Sequence, residues 1–168
     1  CHNNLDVKIV GTGGGFSYGT QGISHNTTED LAVMRSLPNM KVFSPGSRIE
    51  AELAIDAMFD CEGPTFIRLG KRPEIEYLNS TPNYKLGNGL FVKKGGVISL
   101  LTTGNITQDV IKVAEKLDLI GIQTQVICFL CIKPINYKFI IKVTNDDTIN
   151  NSITTSVVKL ITKTNISI

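Results

Sequence analysis

Three stretches of the chain hold residue types suited to chemistry. The first is a glycine-rich run, Gly11-Thr12-Gly13-Gly14-Gly15-Phe16-Ser17-Tyr18-Gly19-Thr20-Gln21-Gly22, followed closely by His25, one of only two histidines. Its six glycines are expected to forbid a regular element, while glycine admits positive φ and lets backbone approach a ligand. The run contains G-x-G, but Phe16 stands where a dinucleotide fingerprint needs its third glycine, and no helix opens directly from it. It also lacks the lysine and hydroxyl residue of a P-loop. It therefore reads as the lining of an active site rather than a free-standing nucleotide site. His25, on this loop just before a predicted helix, can donate a hydrogen bond or act as general acid or base. A surface or capping role is its alternative. The second stretch is Arg68, at the end of a predicted strand and close to Gly70. Strand ends carry sites in parallel sheets, and arginine suits phosphate; a surface ion pair is the alternative. The third is Cys128-Phe129-Leu130-Cys131. It lies in a run that reads as a buried strand, where residues three apart point to opposite faces. With no second ligand pair to complete a zinc site, core packing is the better reading. Glu29 and Asp30 are adjacent in a first helical turn, so they suit the helix dipole better than a carboxylate pair.

The elements that position these residues alternate. Val7–Val10 reads as a strand. Residues 27–35 read as a helix that a threonine can cap, stopped by Pro38. Met40–Phe43 is a strand, and Ser47-Arg48-Ile49-Glu50 is a capping box opening a helix with Leu53, Ala54, Ala57 and Met58 on one face. Thr65–Leu69 is a strand. Residues 71–88, with Pro73, Pro82, Asn79 and Ser80, read as a surface linker with few apolar anchors. Val97–Leu101, a helix over 106–117 with Val110, Val113, Ala114 and Leu117 recurring, and a strand over 125–132 form a βαβ unit. Strand and helix alternate twice, so the expectation is α/β with parallel sheets. The boundaries expected are 1–72, a linker 73–88, and a smaller domain 89–168. The Val157–Ile161 run fits a helix or a strand.

Composition excludes several classes. Of 168 residues, 42% are hydrophobic and 19% charged, with 17 basic against 15 acidic side chains and a net charge of +2. That gives no electrostatic case for nucleic acid or an anionic membrane. No run approaches the roughly 20 apolar residues of a membrane span. The first residues lack the basic and apolar regions of a signal peptide, and four cysteines without a disulfide pattern fit a cytoplasmic, reduced protein. The chain begins at Cys1 rather than methionine, so a removed segment or a fragment is expected.

The string from Gly11 through Gln21, Ser24-His25, Glu29-Asp30, Ala32, Arg35 and Pro38-Asn39 to Pro45 closely resembles the later half of the transketolase pyrimidine-binding domain. Gly63-Pro64-Thr65-Phe66-Ile67-Arg68-Leu69-Gly70 resembles the end of that domain. Gly104, Leu117, Gly121 and Ile132-Lys133-Pro134-Ile135-Asn136 resemble the transketolase C-terminal domain. Deoxyxylulose-phosphate synthases and 2-oxo acid dehydrogenase β chains share the architecture, but the string around His25 leans to transketolase. The resemblance implies an incomplete thiamine-diphosphate-binding pyrimidine domain followed by a small parallel-sheet α/β C-terminal domain.

It also implies thiamine diphosphate and Mg2+ as cofactors, bound mainly by a missing section or a partner chain of a dimer. The chemistry implied is transfer of a two-carbon ketol unit between sugar phosphates. His25 matches the histidine near the substrate oxygens, Arg68 the arginine on the sugar phosphate, and Gln21 stands where the family has aspartate. Gly13 falls near a second family histidine. The family's activating glutamate, aromatic clamp and magnesium–diphosphate domain are absent from the stretch at hand, and Asn145–Thr155 replaces a G-G-L-G stretch. No metal ligand and no cofactor-binding residue is assigned. The expectation is a transferase section inactive alone, partnered by an N-terminal transketolase section or second subunit. The alternative is an inactive homologue with a structural or interaction role.

Overall fold

A computed structural model describes residues 1–22, 24–71, 75–96 and 98–144. The expected tail features from Asn145 onward lie outside the described residues. The first sheet is built from β1 (Lys8–Thr12), β2 (Lys41–Phe43) and β3 (Thr65–Leu69), all parallel, in the order β1-β3-β2. Between β1 and β2 lies α1 (Asp30–Ser36), and between β2 and β3 lies α2 (Arg48–Phe59). Period-two alternation divides the side chains of β2 and β3 between two layers. Phe43 and Ile67 face α2 with Ala54 and Met58, while Val42 and Phe66 face Met40, Leu31 and Met34 on the α1 side.

The second sheet has β5 (Ile98–Thr102) parallel to β6 (Thr124–Cys128), crossed over by α3 (Thr107–Leu119), as the sequence pattern requires. A strand with no clear signal in the sequence, β4 (Leu90–Lys93), adds antiparallel to β6. On α3, Ala114 is fully buried, whereas Val113, expected on the same face, is half exposed.

Four local expectations change. The strand over 125–132 is two strands. It breaks at Phe129-Leu130, and β7 (Cys131–Lys133) crosses to the first sheet, antiparallel to β2. Cys128 and Cys131 are both buried, but in different sheets rather than on two faces of one strand. The helix after His25 starts at Asp30, with no side-chain cap on its first turn; the Thr28 hydroxyl instead donates to Glu29. The glycine run does carry regular structure, since β1 continues through Thr12 and Gly19–Gln21 forms a 3-10 turn. Finally, the segment after Gly70 is anchored. Leu78, Tyr84 and Leu86 pack on the core formed by Phe43, Ile67, Leu90 and Leu130. The last helix, α4 (Tyr137–Thr144), places Val143 against Ile127 and Phe129.

Candidate functional site

The glycine run is pinned at both ends. The Gly13 N–H donates to the Leu69 carbonyl at the end of β3 (2.9 Å), and Gly15 exchanges two backbone hydrogen bonds with Thr27 (2.8 and 3.1 Å). Residues 16–26 are therefore an excursion closed at its neck. Gly14 is glycine because Arg68 crosses it: a Cβ there would sit 2.0 Å from Arg68 Nε. At Gly13 the obstacle is Tyr18, whose ring would lie 2.0 Å from a Cβ, and φ is +77°. A side chain at this position has no room while Tyr18 fills it.

Arg68 is half-buried. Its Nε pairs with Asp30 Oδ2 at 3.1 Å, and Nη2 donates to the Thr27 carbonyl at 3.4 Å. Asp30, read from sequence as a helix-dipole residue, is thus the carboxylate that orients the arginine. Nη1 has no partner among the described residues. Arg68 lies at the C-terminal end of β3, with the ends of β1 and β2 beside it, which is where ligands meet parallel sheets.

His25 is exposed, on the loop five positions before the first residue of α1. Ser24 Oγ lies 2.9 Å from His25 Nδ1 and donates to the Gln21 carbonyl at 3.4 Å, so one serine ties the two expected residues together. The His25 ring lies 5.4 Å from the Tyr18 ring, which in turn carries the Lys71 ammonium 4.2 Å from its centroid. Gln21 is exposed at the end of the 3-10 turn. The structure therefore places His25 and Gln21 on one loop and Arg68 beneath its neck. Tyr18 and Lys71 were not singled out in the sequence. An aromatic inside a glycine run is the only signal that pointed to Tyr18, and none pointed to Lys71.

Beside Arg68 is a cleft open to solvent, lined by Gly14, Ser44, Pro45, Arg68, Gly70 and Asn105. Its wall is held from behind. The Ser44 N–H donates to Leu130, and the Ser44 carbonyl accepts from Thr103 Oγ1. Gly46 N–H donates to Glu50 Oε2 at 2.7 Å. Glu50 is the far end of the predicted capping box. Ser47 Oγ accepts from the Glu50 N–H as expected, but the Glu50 carboxylate is fully buried and serves Gly46, the Tyr77 hydroxyl (2.7 Å) and the Cys128 thiol (3.3 Å) instead. Burial raises Glu50 above the usual carboxylate range despite these donors. Burial, then the Glu50 charge, raises Cys128, so its thiol stays a donor. Cys131 is pushed up to about 12, mainly by burial. All four cysteines are free.

A family model, the transketolase pyrimidine binding domain, matches residues 1–73. The chain belongs to the transketolase family.

Among transketolase relatives, one subunit of the apulose-4-phosphate transketolase of Actinobacillus succinogenes is 33% identical over 134 residues, spanning 80% of this chain and 43% of that protein. A putative transketolase C-terminal section of Methanocaldococcus jannaschii is 31% identical over 144 residues, 84% of this chain and 46% of that one. A solved split-gene transketolase, described as an inactive beta4 tetramer, superposes with a TM-score of 0.76 at 30% identity, covering 86% of this chain and 46% of its own. The chain thus spans under half the length of these transketolase relatives. The transketolase family implies dependence on thiamine diphosphate. The described residues offer no ready metal position of their own. No cluster of three or more His, Cys, Asp or Glu converges on a metal position among them. No helix among the described residues is long and apolar enough to cross a membrane.

Proposed function

We propose that this chain is the C-terminal section of a thiamine diphosphate-dependent transketolase-type enzyme. It passes a two-carbon ketol unit between sugar phosphates, and it needs a partner that carries the rest of the active site. Arg68 carries the reading. Asp30 and Thr27 hold its guanidinium at the C-terminal end of β3, with Nη1 left for a ligand. In this assignment Arg68 binds the sugar phosphate. His25 meets the substrate hydroxyl and carbonyl oxygens as hydrogen-bond donor or proton carrier, and Gln21 hydrogen-bonds the substrate without ionising. The cofactor and Mg2+ belong to an N-terminal section or second subunit. The matched relatives named as a subunit and a C-terminal section support the division. Four free cysteines fit a reducing compartment such as the cytoplasm.

A second reading, an inactive homologue with a structural or interaction role, draws on Tyr18 filling the space beside Gly13 and on the neutral Gln21. One experiment separates the two. The chain is mixed with an N-terminal transketolase section, thiamine diphosphate, Mg2+ and a ketose phosphate, and ketol transfer to an aldose is followed. Transfer by the mixture and by neither chain alone is the expected result. Association without any gain in rate, with both chains folded, sinks the enzymatic reading and leaves the second.

A further inference from the structure

We infer that the outer edge of β1 and the exposed end of α2 form a docking surface for one strand–helix segment of the partner, which extends the first sheet by a further parallel strand. The inference rests on the reading of this chain as a section that needs a partner, and it names the surface through which that partner joins.

Two hydrogen bonds fix the direction of the backbone groups in β1. The Thr65 N–H donates to the Val7 carbonyl and the Gly13 N–H donates to the Leu69 carbonyl, both at 2.9 Å, at the two ends of the β1–β3 ladder. Backbone groups alternate in direction along a strand, so the odd-numbered residues from Val7 to Gly13 bond β3. Lys8, Val10 and Thr12 therefore turn their N–H and C=O groups to the outer edge, where no strand pairs with β1 among the described residues. Edge strands are commonly blunted by proline, by a bulge or by an outstanding charge. β1 contains no proline, and its register with β3 is unbroken from Lys8 to Thr12. Its one charged residue, Lys8, folds its ammonium back onto Asp6 and the carbonyls of Cys61 and Gly63. The edge is left open to pairing.

The side-chain layer stops at the same place. Val10 and Ile67 are register partners on the α2 face of the sheet, yet Val10 is 59% exposed and Ile67 is 1% exposed. Ala54 and Met58 of α2 pack with Ile67, and Val10 is left bare. On α2 itself Ile55 and Phe59 lie one turn apart, and Phe59 is 74% exposed. The Lys8 ammonium meets the Cys61 carbonyl at 2.7 Å, which brings the chain just after Phe59 down to the start of β1. Parallel strands are covered by helices on both faces. A parallel strand paired to Val10 thus needs a helix beside α2, and Val10, Ile55 and Phe59 supply the apolar surface for it. The relatives named above run to more than twice the length that this chain matches, so a strand–helix pair fits within their unmatched part.

The test co-expresses the full chain with the part of the Actinobacillus subunit outside its 134 matched residues. Association is measured by gel filtration and titration, and amide hydrogen exchange is followed on the complex. The expected result is a complex in which the Lys8, Val10 and Thr12 amides exchange about tenfold or more slowly than in the chain alone. Val10→Pro removes an outward N–H and leaves the ladder to β3 intact. It should weaken association about tenfold or more, with little change in the thermal melt of the chain alone. Phe59→Asp, an exposed change, should do the same. Association at parental affinity in both variants overturns the surface, and so does a failure of the two soluble chains to associate. A dimer of this chain alone that Val10→Pro breaks also overturns the inference, because a second copy is then the occupant. The enzymatic reading fails separately. A complex that protects Lys8, Val10 and Thr12 but transfers no ketol unit keeps the surface and sinks the activity. Ketol transfer undiminished by Val10→Pro keeps the activity and sinks the surface.

Discussion

At the residue scale the site is shaped by what two glycines leave room for. Gly13 yields its space to Tyr18 and Gly14 yields its space to Arg68. Gly19 also has positive φ, but nothing lies within 4 Å of a Cβ there. Gly13→Ala meets both strain and overlap, and should cost about 1–3 kcal/mol more than Gly19→Ala, which meets strain alone. Thermal melts of the two variants check this. Arg68→Met in the complemented enzyme should raise KM for the sugar phosphate by roughly 10–100-fold with a smaller change in kcat. The lost contact is a charge-assisted hydrogen bond to a part of the substrate remote from the reacting carbons. A fall in kcat at unchanged KM would contradict the role.

At the element scale the informative residue is Glu50, at the N-terminal turn of α2. Its carboxylate is the common acceptor for Gly46, Tyr77 and Cys128, which come from the cleft wall, the connecting segment and the second sheet. Glu50→Ala leaves these donors buried without a partner and should cost about 3 kcal/mol or more in urea unfolding. The pH dependence has a definite sign. Burial raises the folded-state pKa above its unfolded value, and nearby Glu76 adds to that. The Glu50 contribution to stability is therefore fully present below about pH 4.5 and falls as pH rises through the folded pKa. The stability advantage of the parent over Glu50→Gln should shrink between pH 4.5 and pH 7. A constant gap across that range would show that Glu50 does not titrate differently on folding.

At the scale of the whole molecule, the two sheets share one core. Leu90 from β4, and Leu130 and Cys131 from the crossing into β7, pack with Phe43, Ala54 and Ile67 of the first unit. The connecting segment adds Leu78, Tyr84 and Leu86 to the same cluster. A chain cut to residues 1–88 loses β7 as partner of β2 and exposes this cluster. It should show no cooperative thermal transition, while the full chain melts in a single step by both circular dichroism and tyrosine fluorescence. Two separated transitions in the full chain would mean that the shared core does not couple the units.

In the sequence alone, the alternation of strands and helices, the capping serine of α2, the βαβ unit and the family string around His25 were all legible. Each depends on neighbours within a turn or a few residues, where propensity and periodicity act. Long-range contacts decided the rest. Nothing local in Gln125–Ile132 shows that the strand changes sheets at Phe129-Leu130, because both halves are equally apolar and their partners lie far away in the chain. The same holds for Asp30, which was legible as a helix-start acid but becomes the partner of Arg68 only when the neck of the glycine loop closes on β3. Gly46 and the Gly104 carbonyl lie against each other because Gly46 has no Cβ, and no local signal in the sequence shows that contact. The sequence by itself determined the family and the residues His25, Gln21 and Arg68 as candidates. The tertiary structure alone decided what surrounds them, because burial, pairing and cleft shape arise from contacts between residues distant along the chain.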